Sequence, residues 1–196
     1  MTKPVVVFDY DGTLVDTFAA KQRSYARAVM EALGLGEELR PVLEASYART
    51  SGANRFVQLA ETATELGVSV SDAQREDFSR RFSAYNAQSA DAMPEFSSAR
   101  RVLEALGTRY DLVLVSGLPQ DALVADAKRR GLASHFVRIE GGDKGQAIDR
   151  LLAEGRQVCM LVGDTPHDES VALKRGIPFY RVGGDGDLAR LLEVLQ

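Results

Sequence analysis

The sequence has 196 residues, a length that fits one globular domain or one domain that carries an insertion. Apolar residues make up 45% of the chain and charged residues 27%, which is ordinary for a protein with a sizeable hydrophobic core. The formal net charge of -4 provides no basic surplus for a nucleic-acid backbone or an anionic membrane. No apolar run approaches the roughly 18 residues of a membrane span. We therefore predict a protein that binds neither nucleic acid nor membranes.

The expected compartment follows from two further features. The chain enters a strand-like apolar run almost at once, so we expect no secretory signal. Its one cysteine, Cys159, cannot form an internal disulfide, which is typical of a reducing compartment. We predict a cytoplasmic protein that is a monomer or a homodimer.

Continuous apolar runs predict strands that are covered on both faces, as in a parallel sheet. The first predicted strand covers residues 4–9 and ends in an acid. Four more are predicted at 110–116, 136–140, 157–163 and 178–182. Amphipathic helices are predicted at about 95–107, 119–131, 143–155, 166–176 and from 186 to the end. This alternation predicts an α/β fold with a doubly wound parallel sheet, which is Rossmann-like.

Residues 17–92 interrupt the alternation. Apolar residues such as Tyr25 and Val29 recur there at helical spacing, and no run predicts a strand. A single crossover helix needs far less chain, so a merely long crossover is the weaker interpretation. We predict an α/β core domain made of residues 1–16 and 93–196, with a helical cap domain at 17–92 inserted after the first strand.

The segment Asp9-Tyr10-Asp11-Gly12-Thr13 directly follows the first predicted strand. Ligands of doubly wound sheets bind at the carboxyl ends of strands. Two carboxylates one residue apart repel each other there unless a cation or a proton intervenes. One can attack phosphorus to form an acyl phosphate, and the other can protonate the leaving oxygen and later deprotonate water. Thr13 can donate to a phosphate oxygen. The structural alternative is a simple Asp-Gly turn.

A second acidic pair, Asp164 and Asp168, follows the predicted strand at 157–163. Magnesium prefers hard oxygen ligands, so carboxylates gathered from two strand ends suit it well. The alternative is that these acids cap the next helix. Capping accounts for one acid at this place, but less well for a pair.

Two further positions suggest anion binding. Ser116 ends the strand at 110–116 and Gly117 follows it before a helix, where a hydroxyl and backbone N–H groups can hold an anion. A simple serine turn explains them equally well. Lys144 opens a helix, where a cation is poorly placed for the helix dipole, which suggests that it balances phosphate and carboxylate charge. A solvated lysine is the alternative.

Together these positions resemble the haloacid dehalogenase superfamily in its phosphatase branch. Four motifs match in order over nearly the whole chain: DxDGT at 9–13, a serine at a strand end, Lys144, and GDxxxD at 163–168. The helical insert is similar to the cap of phosphoglycolate phosphatases and β-phosphoglucomutases. The resemblance thus implies an α/β hydrolase with Mg²⁺ as its cofactor.

The resemblance also implies roles for the acids. Asp9 would be the nucleophile and a magnesium ligand. Asp11 would be the general acid and base, and would give the metal its backbone carbonyl. Asp164 would bind magnesium directly, and Asp168 directly or through water. Dehalogenases and phosphonatases of this superfamily lack an acid at the place of Asp11, so neither branch fits.

The remaining site residues follow from the same resemblance. Ser116 and Lys144 would hold the phosphoryl group. Residues 51–55 resemble a cap loop of the sugar-phosphate mutases, which makes Arg55 a candidate for binding a second anionic group of the substrate. A surface arginine at a helix start is the alternative.

The predicted function is a magnesium-dependent phosphomonoester hydrolase that acts on a small phosphorylated metabolite through an aspartyl-phosphate. A sugar-phosphate phosphomutase of the β-phosphoglucomutase type is the alternative, because it would share every catalytic residue. A phospho-acceptor signalling domain also uses acids, magnesium, a hydroxyl and a lysine on a doubly wound sheet. Such domains carry an adjacent acid pair after the first strand and lack a helical cap, which argues against them here.

Overall fold

The computed structural model describes residues 3–195, apart from the side chain of Asp91. The backbone divides into two compact units. The α/β unit consists of Met1–Asp16 and Glu95–Gln196, and the helical unit consists of Thr17–Pro94.

The α/β unit resumes two residues later than the predicted domain boundary at residue 93. Backbone pairing explains the position, because Glu95 forms an antiparallel bridge with Val15. Phe96 adds a hydrogen bond from its N–H to the carbonyl of Leu14, at 3.0 Å. Where the chain re-enters the α/β unit, residues 95 and 96 are thus paired with residues 14 and 15 at the end of the first segment.

The predicted fold class is confirmed by a five-stranded sheet in which all strands are parallel. The strands are β1 (Val5–Asp9), β2 (Asp111–Ser116), β3 (Arg138–Gly141), β4 (Val158–Gly163) and β5 (Phe179–Arg181). Their order across the sheet is β3-β2-β1-β4-β5, so β1 lies at the centre between β2 and β4. Because all the strands run the same way, their carboxyl ends meet at one edge.

Five helices alternate with these strands. They are α5 (Ala99–Gly107), α6 (Gln120–Arg129), α7 (Lys144–Ala153), α8 (Pro166–Leu173) and α9 (Asp185–Val194). Local signals fix the two helix starts that matter most for function. Asp143 caps α7 by accepting from the N–H of Gln146. At α8, Pro166 is the first helical residue and Thr165 forms a capping box with Asp168.

The third strand begins two residues later than predicted. Residues Ala133–His135 form a short 3-10 helix, and the N–H of Phe136 bonds back to the carbonyl of Ala133 at 3.3 Å. Phe136 therefore closes that turn, and the pairing with β2 starts at Arg138.

The apolar runs of the strands form the core of the α/β unit. Val5, Val7 and Val113 are fully buried there, together with Leu161 of β4 and Ile148 of α7. Helices cover both faces of such a sheet, which explains why the strands are continuously apolar instead of alternating. The core fixes the strand ends on which the site is built.

The helical unit contains α1 (Phe18–Leu33), α2 (Arg40–Thr50), α3 (Arg55–Leu66) and α4 (Asp72–Ser89). Helix α1 stops at Gly34, which has a φ of 67°, and Ser71 with Gln74 forms a capping box at the start of α4. Within residues 3–195, none of the helices combines the length and the hydrophobicity required to cross a membrane.

The helical unit has a hydrophobic core of its own, centred on Tyr25. Its ring packs edge-on against Phe78 and Phe82, with ring centroids 5.5 and 5.8 Å away. Its hydroxyl forms a 2.6 Å hydrogen bond with Thr62, which is also 2.7 Å from the hydroxyl of Ser46. Burial raises the pKa of Tyr25 to about 12, so the phenol stays neutral. Buried hydroxyls thus satisfy one another within this unit.

Candidate active site

The candidate site lies at the carboxyl edge of the sheet. Asp9 is the last residue of the central strand β1, and Asp164 directly follows β4 on one side of it. Ser116 ends β2 on the other side. Parallel neighbours therefore bring together residues that are more than 100 positions apart in the chain.

The chain turns sharply after β1. The backbone N–H groups of Leu14 and Val15 donate to the carbonyl of Tyr10, at 2.9 and 3.2 Å. Gly12 donates its N–H to the carbonyl of Val15 at 2.8 Å and has a φ of 80°, which other residues rarely adopt. A Cβ atom on Gly12 would lie 2.1 Å from Oδ2 of Asp164. The turn after β1 thus packs directly against the acid that follows β4.

Three carboxylates form a compact cluster. Asp9, Asp164 and Asp168 each offer an oxygen, and these oxygens all lie within 4.8 Å of one another. Lys144 joins two of them, with its ammonium nitrogen 2.7 Å from Asp9 Oδ1 and 2.6 Å from Asp168 Oδ1. The side chain of Asp168 is fully buried and that of Lys144 is 11% exposed. Lys144, the first residue of α7, therefore forms ion pairs with an acid of the DxDGT motif and with an acid of the GDxxxD motif.

Burial and charge shift the pKa values in this cluster. Burial raises the pKa of Asp9 well above its usual range, and Asp168 and Asp164 add to the rise while Lys144 opposes it. Burial also raises the pKa of Asp164, and the charge of Asp168 raises it further. Burial would raise the pKa of Asp168 too, but Lys144 lowers it below its ordinary value. The Lys144 pKa is raised because Asp9 and Asp168 outweigh the effect of burial.

The cluster fits a divalent cation. Three carboxylates and one ammonium group leave two negative charges uncompensated when all are ionised. Oδ1 of Asp164 is buried and accepts no hydrogen bond from the described residues. Hard carboxylate oxygens are the ligands that Mg²⁺ prefers. The carboxylate of Asp11 is not part of this cluster, and the family resemblance implied only a backbone contact of that residue with the metal.

The other predicted residues of the α/β unit lie beside the cluster. The hydroxyl of Thr13 donates to Asp9 Oδ2 at 3.3 Å. The hydroxyl of Ser116 donates to Asp11 Oδ2 at 3.4 Å and accepts from the N–H of Leu118 at 3.2 Å. Gly117 is exposed, and nothing lies within 4 Å of the position its Cβ would take. The structure thus brings all four motifs to one edge of the sheet.

Arg55 lies in the helical unit and makes its contacts there. Its Nη1 donates to the hydroxyl of Ser83 at 2.7 Å and to the hydroxyl and carbonyl of Ser79 at 3.2 Å. The guanidinium lies 5.5 Å from the ring centroid of Phe82, and burial lowers its pKa. Among the residues that the structure describes, no carboxylate pairs with Arg55.

Two supporting residues were not among the predicted site residues. The hydroxyl of Thr165 donates to Asp168 Oδ2 at 2.5 Å, so the helix cap and the acidic cluster share one carboxylate. Arg181, at the end of β5, donates to the backbone carbonyl of Asp164 at 2.7 Å and to Glu169 at 2.8 Å. The capping signal pointed to Thr165, whereas nothing near Arg181 in the sequence indicates its partners.

Comparison with known families agrees with this geometry. A model of the haloacid dehalogenase-like hydrolases matches residues 3–175. The chain belongs to this family, which confirms the resemblance seen in the sequence and identifies the protein as a hydrolytic enzyme. No curated protein sequence matches the chain.

Solved structures share the fold. A haloacid dehalogenase-like hydrolase from Streptococcus pneumoniae has a TM-score of 0.74 at 20% identity, over 98% of this chain and 97% of its own. A predicted phosphoglycolate phosphatase from Haemophilus somnus has a TM-score of 0.74 at 19% identity, over 100% and 99%. A proposed β-phosphoglucomutase from Thermotoga maritima has a TM-score of 0.65 at 21% identity, over 98% and 100%. At these identities the likeness establishes the fold alone.

The close approach at Gly12 gives a testable prediction. We expect Gly12→Ala to lower the free energy of unfolding by about 2–4 kcal/mol, because a strained φ and a steric clash with Asp164 add together. The matched control is Gly155→Ala, with a φ of 72° and nothing within 4 Å of its Cβ. It should cost only about 1 kcal/mol. Urea denaturation followed by circular dichroism measures both, and equal losses would contradict the close approach.

Proposed function

We propose that the protein is a magnesium-dependent phosphomonoester hydrolase that acts on a small phosphorylated metabolite through an aspartyl-phosphate on Asp9. The observation that carries the proposal is the cluster at the end of β1. There, Lys144 contacts Asp9 and Asp168 within 2.7 Å, and Asp11 and Ser116 lie alongside. Membership of the haloacid dehalogenase-like hydrolases supports a hydrolytic reaction.

Asp9 is the proposed nucleophile. It is only 2% exposed, and its two oxygens receive hydrogen bonds from Lys144 and Thr13. These donors fix the carboxylate in one orientation, which favours attack on a bound phosphoryl group. In the first step an Asp9 oxygen forms a bond to phosphorus, and the bond from phosphorus to the substrate oxygen breaks.

Asp11 is the proposed general acid and base. It lies two residues after the nucleophile and accepts from Ser116 at 3.4 Å. As an acid it would protonate the leaving oxygen of the substrate. As a base it would then take a proton from the water that attacks phosphorus. That attack breaks the bond from phosphorus to Asp9 and releases inorganic phosphate.

Four groups are proposed to hold the phosphoryl oxygens. They are the hydroxyls of Ser116 and Thr13, the exposed backbone at Gly117 before α6, and the ammonium of Lys144. Donors fixed in advance stabilise the negative charge of phosphoryl transfer without having to reorganise. Lys144 also reduces the repulsion among the acids, since it contacts two of them at once.

Asp9, Asp164 and Asp168 would hold Mg²⁺ with their carboxylates, and Asp11 with its backbone carbonyl. Bound there, the ion would neutralise the negative charge shared by the acids and the phosphoryl group. Arg181 holds the backbone of Asp164, and Thr165 holds the carboxylate of Asp168. These contacts orient two of the proposed ligands before any ion binds.

Removal of the nucleophile tests the mechanism. We expect Asp9→Asn to lower kcat by about a thousandfold or more, because an amide does not form an acyl phosphate. The measurement is the release of inorganic phosphate from a panel of phosphoglycolate, hexose phosphates, nucleotides and pyrophosphate. Asp149→Asn, an exposed acid that pairs with Arg175, is the control. Activity of Asp9→Asn near wild type, in folded protein, would refute the mechanism.

The same panel separates the two candidate reactions. A hydrolase releases phosphate from at least one compound with water as the acceptor. A phosphomutase would convert one sugar phosphate into its isomer without net release of phosphate. That result would favour the alternative function, a sugar-phosphate phosphomutase. Both reactions would be lost in Asp9→Asn, because both pass through the same carboxylate.

Magnesium dependence is a separate prediction. Chelation should abolish activity and added Mg²⁺ should restore it, because the clustered acids need a cation to bind an anionic substrate. Asp164→Asn should raise the half-saturating Mg²⁺ concentration about tenfold or more, since it removes one charged ligand. Asp143→Asn is the control, because asparagine caps a helix as well as aspartate does. Full activity in the presence of chelator would contradict the proposal.

Arg55 is proposed to bind a second anionic group of the substrate. Its half-buried guanidinium has hydroxyl and carbonyl partners on one nitrogen and no carboxylate partner among the described residues. By contrast, Arg49 and Arg81 of the same unit pair with acids. Charge left uncompensated in a partly buried place favours an anion.

We expect Arg55→Gln to raise KM about tenfold for substrates that carry a second anionic group, because it removes charged hydrogen bonds. The KM for p-nitrophenyl phosphate, which has no second anionic group, should change less than twofold. Arg75→Gln is the matched control, because Arg75 also stacks on an aromatic ring, that of Phe56. Equal changes in KM for both substrates would contradict a role for Arg55 in binding.

A further inference from the structure

Tyr10 lies between the proposed nucleophile and the proposed general acid, yet neither role uses its side chain. The ring is 1% exposed. Its hydroxyl donates a 2.7 Å hydrogen bond to Oδ2 of Asp126, a residue of α6 that is 116 positions away. A long-range hydrogen bond from a residue between Asp9 and Asp11 ties this part of the chain to another element of the α/β unit.

The backbone of Tyr10 supports the whole turn after β1. Its carbonyl accepts from the N–H groups of Leu14 and Val15, at 2.9 and 3.2 Å, and from Thr13 at 3.4 Å. Asp11 lies inside this turn. One residue therefore anchors the turn through its carbonyl and contacts α6 through its hydroxyl.

Asp126 is itself held firmly. Its Oδ2 also accepts from Nε of Arg130 at 3.0 Å, and its Oδ1 accepts from Nε of Arg129 at 3.1 Å. The side chain of Arg130 is only 9% exposed. Charged hydrogen bonds in such a place are stronger than those on an open surface. The carboxylate that accepts from the Tyr10 hydroxyl is thus also held by Arg129 and Arg130.

Helix α6 follows strand β2, whose last residue is Ser116. The helix begins at Gln120, four residues after Ser116, whose hydroxyl contacts Asp11 at 3.4 Å. The bond from Tyr10 to Asp126 therefore joins the two segments that carry the proposed acid and the proposed phosphate-binding hydroxyl. It adds to the pairing of β1 with β2 and to the hydrogen bond from Ser116 to Asp11.

We propose that Tyr10 is a positioning residue, whose hydrogen bond to Asp126 holds the turn after β1 in place relative to Ser116 at the end of β2. For the reaction, the inference rests on the proposed function, because the turn carries the general acid of that mechanism. The anchoring of the turn does not rest on the proposed function, because the hydrogen bond from Tyr10 to Asp126 lies within the α/β unit. A small displacement of a catalytic group costs a large factor in rate, so the effect on kcat exceeds the effect on binding.

Tyr10→Phe removes only the hydroxyl and tests the proposal. The matched control is Tyr180→Phe, since Tyr180 of β5 also donates a 2.7 Å hydrogen bond, to the carbonyl of Asp187. The first readout is amide hydrogen exchange of the whole protein, measured in the segment that covers residues 10–15. It requires no substrate. We expect exchange to accelerate about fivefold or more in Tyr10→Phe and to stay unchanged in Tyr180→Phe.

The second readout is kinetic, with the most active compound of the phosphate panel. Tyr10→Phe should lower kcat about 5- to 20-fold and change KM less than twofold, whereas Tyr180→Phe should leave both as in wild type. Asp126→Asn keeps an acceptor for the phenol but weakens the charged hydrogen bonds from Arg129 and Arg130, so both readouts should fall between those of wild type and Tyr10→Phe. Asp126→Ala should behave like Tyr10→Phe.

The two readouts separate the possible failures. Faster exchange in Tyr10→Phe, with no phosphoryl transfer by the wild type, would support the anchoring and refute the proposed function. Exchange in residues 10–15 equal to wild type would overturn the anchoring, whatever the activity. Faster exchange with an unchanged kcat would overturn the positioning role and leave a purely structural hydrogen bond.

Discussion

The ammonium of Lys144 lies between two buried carboxylates that come from different parts of the chain, and the arrangement of the α/β unit is built around this contact. Asp9 ends β1, Asp168 belongs to the first turn of α8, and Lys144 is the first residue of α7. Little water screens these groups, so attraction and repulsion among them are both strong. The parallel sheet, with β1 at its centre, brings the three segments to one edge.

Close packing at this edge restricts what the chain can place there. A Cβ on Gly12 would collide with the carboxylate of Asp164, and a Cβ on Gly163 would lie 2.7 Å from Cβ of Asp168. At both places the backbone of one motif takes the space beside an acid of the cluster. The distances among the acids therefore depend on glycine at positions 12 and 163, where a side chain would collide with an acid.

The two units divide the proposed work. The α/β unit contains all the residues proposed to react with the phosphoryl group. The helical unit is stabilised by its own core around Tyr25 and by its own helix caps, so its sequence can vary without altering the strand ends. Arg55 of that unit, whose hydrogen-bond partners among the described residues are two hydroxyls and a carbonyl, is the side chain proposed to bind a second anionic group. Chemistry and choice of substrate would thus be encoded in separate parts of the chain.

The sequence by itself determined the parallel α/β class, the helical insert and the strand ends at which the motifs lie. Continuous apolar runs specify strands covered on both faces, and the direction of a parallel strand fixes the edge at which the next residues emerge. The positions of Asp9, Ser116 and Asp164 at the ends of predicted parallel strands therefore predict that they lie at one edge of the sheet. Phe136, by contrast, closes a 3-10 turn that no periodicity indicates.

The tertiary structure alone decided which side chains meet. Lys144 bridges two acids, Arg181 holds the backbone of Asp164, and Tyr10 donates to Asp126 across 116 positions. No local pattern encodes such pairs, because they depend on helix orientation, on rotamers and on the way distant segments pack. The sequence determines the chemistry available at each strand end, and the packing of the whole chain determines the distances over which it acts.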